Sequence, residues 1–273
     1  MEPKLQRRVQ RYGWDKAAAY YEQFWQRQLE PAQDRLLELA ALRPGERVLD
    51  VACGTGLVTF RAAASVAPDG EVLGTDISEG MIEVGRQLTA ERGVQNVSFE
   101  RMDAEDMGGL PDVSFDVALC ALGLMFVPDP LKAFTEQHRL LKPGGRAVAA
   151  VWGQRDRCGW AELFPIVESH IESEVCPMFF QMGTQNVLEQ TFQMAGFAEV
   201  SYERLPTVLR FASAEEALGA AFLGGAVALA YARFDEPTKE AVHDEYLASI
   251  AAYRNGAGYD VPAEFVVGIG WRG

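Results

Sequence analysis

Three aspartates fall near the downstream ends of three successive apolar runs: Asp50 in residues 47–52 (RVLDVA), Asp76 in 71–77 (EVLGTDI) and Asp103 just after 97–102. At Asp76 a carboxylate suits the two hydroxyls of a ribose, and Asp103 suits an exocyclic amine such as that of adenine. Between the first run and the next helical stretch comes Ala52-Cys53-Gly54-Thr55-Gly56. Glycines there let the backbone turn tightly and approach a ligand without a Cβ in the way, while the N–H groups opening the next helix face it. Gly-x-Gly alone also fits a dinucleotide-binding turn, but that fingerprint asks for a third glycine three residues on. Thr59 stands there instead. Asp76 by itself does not separate nicotinamide dinucleotides from other adenosyl ligands, and a carboxylate before a helix is also simply favourable with its dipole. Asp103 discriminates better, because three carboxylates at one edge would repel a pyrophosphate and suit a cationic sulfonium.

The elements that must position these groups alternate. Strands are expected at 47–52, 71–77, 97–102, 115–122 and 146–152, with helices to about 67, over 79–92 (Ser78 as N-cap, Gly93 as stop) and over 129–141. Strands separated by helices of this length imply right-handed crossovers and a parallel sheet covered on both faces. Ligands of such sheets bind beyond the carboxyl ends of the strands, where strand order reverses. Residues 4–42 read as helical before this core. After it come helical signals at 159–175 and 184–195, a strand at 199–205, helices at 213–222 and 237–253, and a last strand at 264–271. The expectation is an α/β Rossmann-like fold: a mostly parallel seven-stranded sheet, N-terminal helices, and a helical insertion before the last strand. The expected division is an N-terminal helical cap at 1–42, a core at 43–211 and 259–273, and an insertion or lid at 212–258.

The ordered set VLDVACGTG (48–56), GTDIS with Met81, Asp103-Ala104 and LLKPGG (140–145) resembles the class I S-adenosylmethionine-dependent methyltransferase core. It is closest to the type 11 branch, which includes ubiquinone and menaquinone C-methyltransferases. Upstream, Trp14-Asp15, Ala18 and Tyr21-Glu22 are similar to that family's W-D-x-x-A-x-x-Y-D segment. The resemblance implies S-adenosyl-L-methionine as cofactor and S-adenosyl-L-homocysteine as product. It implies that Asp50 and the turn Ala52, Cys53, Gly54, Thr55 and Gly56 hold the methionine end, and that Asp76 binds ribose. Ile77 and Met81 would lie against adenine, Asp103 and Ala104 at its edge, and the Cys120 backbone near the methionine moiety. Ala52 departs from the family, many members of which have glycine there.

The acceptor is expected over the ends of the fourth and fifth strands, by the loop 122–128 with Met125 and Phe126, and by Trp152. Trp14 and Tyr21, seven residues apart, share a helix face; they either close over the site or pack an N-terminal helix. Phe222 and Tyr231 of the insertion would supply a lid. These groups are apolar, so a small hydrophobic or aromatic molecule is the expected acceptor, with quinone-ring C-methylation and a non-catalytic cofactor-binding subunit as alternatives. Methyl transfer from a sulfonium is an in-line displacement with a neutral leaving group, so alignment supplies much of the rate. No catalytic base is assigned: His138, His170 and His243 sit in helical stretches and read as surface or packing residues. Cys53, Cys120, Cys158 and Cys176 form no CxxC pair and no metal-ligand spacing, so no metal is expected, and nothing in the spacing of Cys158 and Cys176 demands that they meet near the site. A formal charge of −14 argues against a nucleic-acid partner. The densest basic cluster, Arg7, Arg8 and Arg11, reads as an exposed helical face. Neither a secretory signal nor a transmembrane run is visible, which makes the cytoplasm the default; no oligomeric state is assigned.

Overall fold

The computed structural model describes residues 2–171 and 178–273. In chain order the elements are α1 (Pro3–Ala40), β1 (Arg47–Val51), α2 (Leu57–Val66), β2 (Glu71–Asp76), α3 (Glu79–Arg92), β3 (Val97–Arg101), β4 (Phe115–Ala121), α4 (Pro130–Leu140) and β5 (Leu141–Trp152). Then follow α5 (Leu163–His170), α6 (Val187–Met194), β6 (Ala198–Phe211), α7 (Ala214–Leu218), α8 (Ala228–Tyr231), α9 (Glu236–Ser249), β7 (Arg254–Asn255) and β8 (Gly258–Trp271).

The sheet order is β3-β2-β1-β4-β5-β8-β6, with the two-residue β7 paired onto β8. That short strand makes eight where seven were expected. Pairings from β3 through to β5 are parallel, and β8 runs antiparallel to both β5 and β6. The chain starts at the centre with β1, builds outward to β3, then returns to place β4 on the other side of β1. Between β1 and β4 lies the reversal of strand order where such sheets take ligands. Val48, Leu49, Val117, Ala118, Leu119 and residues 147–151 are fully buried, the continuous apolar pattern of strands covered on both faces.

Local chemistry sets the element ends. Ser78 Oγ accepts from the Met81 N–H (3.1 Å), and Gly93 closes α3 in the left-handed region at φ 63°. Asp129 caps α4 through the Lys132 N–H, with Pro130 in the first turn. The strands expected at 199–205 and 264–271 are both 14 residues long, paired out to Phe211↔Tyr259. Pro206 follows the last residue of the expected strand 199–205. It is tolerated because β6 lies at the sheet edge, and the period-two burial of Leu209 and Phe211 carries the strand on. β3 ends at Arg101, so Asp103 lies two residues beyond it, in an isolated bridge with Asp106.

Where several N-terminal helices were expected there is one, 38 residues long, running through Pro31. The hydrogen bond that proline removes would have gone to Arg27, on the exposed side, while Leu29, Ala32, Leu36 and Ala40 hold the helix into the main core. The insertion packs on α1: a Cβ at Gly219 would stand 2.2 Å from the Phe24 ring. Among the described residues no helix is long and apolar enough to cross a membrane.

Candidate functional site

At the carboxyl end of β1, Asp50 is buried and its Oδ2 accepts from Thr59 Oγ1 at 2.6 Å. Its Oδ1 has no partner among the described residues. Burial pushes its pKa up to about 7, against the lowering effect of the Thr59 bond and with the help of the nearby Asp76 charge. Thr59, read in the sequence only as a missing glycine, is thus the residue that holds this carboxylate.

Asp76 ends β2. Its Oδ2 accepts from the Gly54 N–H (3.0 Å) and its Oδ1 from the Ser78 N–H (2.9 Å). Burial raises it to about 6 despite these bonds. The turn between β1 and α2 therefore closes on the next strand's carboxylate. Ala52 at φ 54° sits in the left-handed region, which L-residues avoid. Room for its methyl is made across the turn at Gly123, where a Cβ would lie 2.4 Å from that of Ala52.

Asp103 pairs with Arg7 Nε at 2.9 Å, and Arg7 also bridges to Glu105. Glu105 in turn accepts from the Asp129 N–H at 2.7 Å. The basic cluster expected on an exposed face therefore divides: Arg8 is exposed, but Arg7 turns inward onto two carboxylates. The physical reason is the helix period, which puts Arg7, Gln10, Trp14 and Tyr21 on one face.

That face covers a cavity at the carboxyl ends of β1, β2 and β4. Its wall includes Arg7, Gln10, Ala52, Gly54, Asp76, Ile77, Met81, Met102, Asp103 and Ala104. Cys53, Thr55, Gly56, Cys120 and Met125 lie behind the wall: the Cys53 side chain packs with Ile82 and Phe99, and Cys120 and Met125 are in the main core. Asp50 also stands behind the turn. Trp14, Tyr21, Leu122 and Phe126 line both this cavity and a second, adjoining one. The second is walled by Trp25, Trp152, Trp160, Phe164 and Phe179. Trp152 and Trp160 meet edge to face at 4.8 Å, and Trp25 stands 6.0 Å from Trp152. Among the described residues no ionisable side chain except Tyr21 lines this chamber.

Helix α1 is tied down by polar bonds at three levels. Gln6 Nε2 donates to the Phe126 carbonyl (3.3 Å), Asp15 Oδ1 accepts from Ser78 Oγ (2.6 Å) and the Gly80 N–H (3.0 Å), and Glu22 accepts from Thr55 Oγ1 (2.9 Å). Trp14 meets Tyr21 and Phe126 edge to face at 5.8 and 5.0 Å. Sequence reasoning missed Arg7, Gln10, Trp25, Trp160, Phe164 and Phe179. The spacing that linked Trp14 to Tyr21 would have found the first two, and Trp25 one turn on.

The expected lid residues are placed elsewhere. Phe222 is fully buried among Tyr231, His243 and Tyr246, inside the insertion. Small residues carry the insertion's share of the chamber: Ala221, Gly225 and Ala226. None of the three histidines lines either cavity; His170 contacts Glu245 and His243 contacts Tyr231, each at 3.0 Å. Burial pushes the Cys120 and Cys158 thiols up to about 12, and Cys176 lies outside the described residues. Among the described residues no group of three His, Cys, Asp or Glu is arranged to hold a metal.

Residues 42–186, just over half of the chain, match the family model described as a methyltransferase domain. The demethylmenaquinone methyltransferase of Symbiobacterium thermophilum is 34% identical over 183 residues, covering 60% of this chain and 72% of that protein. Among solved structures, YcgJ of Bacillus subtilis gives a TM-score of 0.61 at 19% identity, covering 89% of this chain and 98% of that one. Phosphoethanolamine N-methyltransferase 2 of Haemonchus contortus, solved with S-adenosyl-L-methionine, gives 0.60 at 17%, covering 94% and 57%. At these identities the two structures speak to the fold.

Proposed function

Because the chain belongs to the S-adenosylmethionine-dependent methyltransferase family, we propose that the cavity walled by Asp76 and Asp103 takes the cofactor and the aromatic chamber takes a small, planar, apolar methyl acceptor. The observation that carries this reading is the pairing of the two cavities, one edged by carboxylates and one aromatic, meeting at Trp14, Tyr21, Leu122 and Phe126. The residues fit the cofactor. Asp50 keeps a buried oxygen without a partner beside the turn, as a site for a cationic ligand would. Asp76 keeps lone pairs for a ribose, and Ile77, Met81 and Met102 offer an apolar slot for a purine. Cys53, Thr55, Gly56 and Cys120 contribute by backbone shape from behind the wall.

When bound, the cofactor supplies an electrophilic methyl whose in-line displacement leaves a neutral thioether. The chain's own part is alignment and exclusion of water: Trp14, Tyr21 and Phe126 narrow the junction between the cavities, and the ring walls fix the acceptor's plane. Holding two reactants in line supplies much of the acceleration. Among the described residues of the chamber walls Tyr21 is the one ionisable side chain, and burial raises its pKa, so the acceptor arrives already nucleophilic or loses its proton to water. Calorimetry is expected to give binding of S-adenosylhomocysteine and none of NADH, and the reverse would overturn the cofactor assignment. A labelled-methyl screen is expected to label phenols and quinols ahead of polar amines; preferential labelling of amines would refute the acceptor class.

Quinone-ring C-methylation is the second reading. It is favoured by the name of the 34%-identical relative, a demethylmenaquinone methyltransferase, and a ring-methylated quinol product would establish it.

A further inference from the structure

Six large apolar side chains are exposed among the described residues: Leu5, Tyr12, Tyr20, Val113, Met194 and Val208. Three of them lie within 16 residues of α1. At 100° per residue Leu5, Tyr12 and Tyr20 fall on one outward stripe, with Arg8 and Lys16 between them. Lys4, Arg8 and Lys16 are exposed, Arg11 is partly so, and the Arg8 and Arg11 guanidiniums approach the Tyr12 ring to 6.0 and 5.4 Å. Against these cations the same stretch sets two acids, Glu2 before the helix and Asp15, which accepts from the Ser78 hydroxyl and the Gly80 N–H. A chain of formal charge −14 therefore carries a cationic, aromatic face about 24 Å long, none of which is needed to line the cavities beneath.

We propose that this outer face of the first half of α1 docks the protein on an anionic lipid surface. Its charge and its rings favour lipid over other partners. Phenol rings bracketed by cations suit the headgroup boundary, where an aromatic ring keeps its hydroxyl wet and its carbons dry. Four cations attract anionic headgroups but fall short of the roughly six to ten phosphate contacts made by a strong nucleic-acid binder. The acidic remainder of the molecule is screened beyond about 8 Å at physiological ionic strength. Docked this way, the helix that roofs both cavities lies against the bilayer.

Cosedimentation of the full chain with phosphatidylcholine vesicles, with and without phosphatidylglycerol, tests it. Binding is expected only with phosphatidylglycerol and is expected to fall as salt rises. The double variant Arg8→Gln/Lys16→Gln should bind roughly fivefold more weakly per cation removed, and Tyr12→Ser more weakly than wild type, with S-adenosylhomocysteine affinity unchanged in both as the check on folding. Equal binding to both vesicles, binding to neither, or wild-type binding by correctly folded Arg8→Gln/Lys16→Gln would overturn the proposal. So would retention of a single-stranded oligonucleotide by this face in place of the vesicles.

Discussion

Asp50 is a carboxylate held at the edge of ionisation. Folded, it titrates at about 7; unfolded, it would titrate at about 3.9. Below about pH 4 both states carry the proton, between about 4 and 7 only the folded state does, and above that neither does. The folded state therefore binds more protons in the window, and raising the pH through it removes stability from the cofactor-free protein. His138 and His243, both lowered by burial, work in the opposite sense over part of the same range. The measurement that isolates Asp50 is the difference in Tm between wild type and Asp50→Asn. Wild type is expected to lose ground to the variant as pH rises from 5 to 7.5, and a flat difference would show that Asp50 is not raised. Ala52 was legible in the sequence as a departure from the family. Its partner Gly123 was not, because the contact that makes room for the methyl joins two turns 71 residues apart.

At the scale of elements, α1 is the part whose role the sequence concealed most. Its Trp14, Asp15 and Tyr21 were recognisable, yet the pattern did not say that Asp15 would accept from both the cap residue and the first turn of α3. Asp15→Ala leaves the Gly80 N–H and the Ser78 hydroxyl without that acceptor. The expected loss is about 1–3 kcal/mol of stability, read as a lower Tm, together with weaker S-adenosylhomocysteine binding because Ser78 adjoins Asp76. An unchanged binding isotherm would show that this tie serves folding alone. The five parallel strands and the helices between them were readable from period, caps and turns, which are local signals. The strands β6 and β8 were each read at about half their length; for β6 the continuation past Pro206 depends on its place at the sheet edge, which only the sheet order reveals.

For the molecule as a whole, two cavities share one wall but draw on different parts of the chain. The proposed cofactor side is built from the ends of β1 and β2, the segment after β3, Met81 of α3, residues after β4 and α1; the chamber adds Trp152, Trp160, Phe164, Phe179 and the insertion's Ala221, Gly225 and Ala226. Trp152→Ala is therefore expected to raise the acceptor's KM roughly tenfold or more, as loss of a large aromatic wall should, while cofactor affinity stays within about twofold. Parallel loss of both would mean that the chamber does not serve the acceptor. The cofactor side was the more legible of the two because its residues lie at fixed offsets from strand ends, whereas the chamber is assembled from segments whose only common property is being apolar. One rod serves both cavities: Arg7 and Gln10 face the first, Trp14 and Tyr21 the junction, Trp25 and Leu29 the second. Its rotational phase is thus shared. A single residue inserted between Tyr21 and Trp25 would turn the preceding half by about 100° and displace four contacts at once, whereas a seven-residue insertion would nearly restore the angle but shift that half by about 10 Å. Point changes along this rod can be absorbed one at a time; changes in its length cannot.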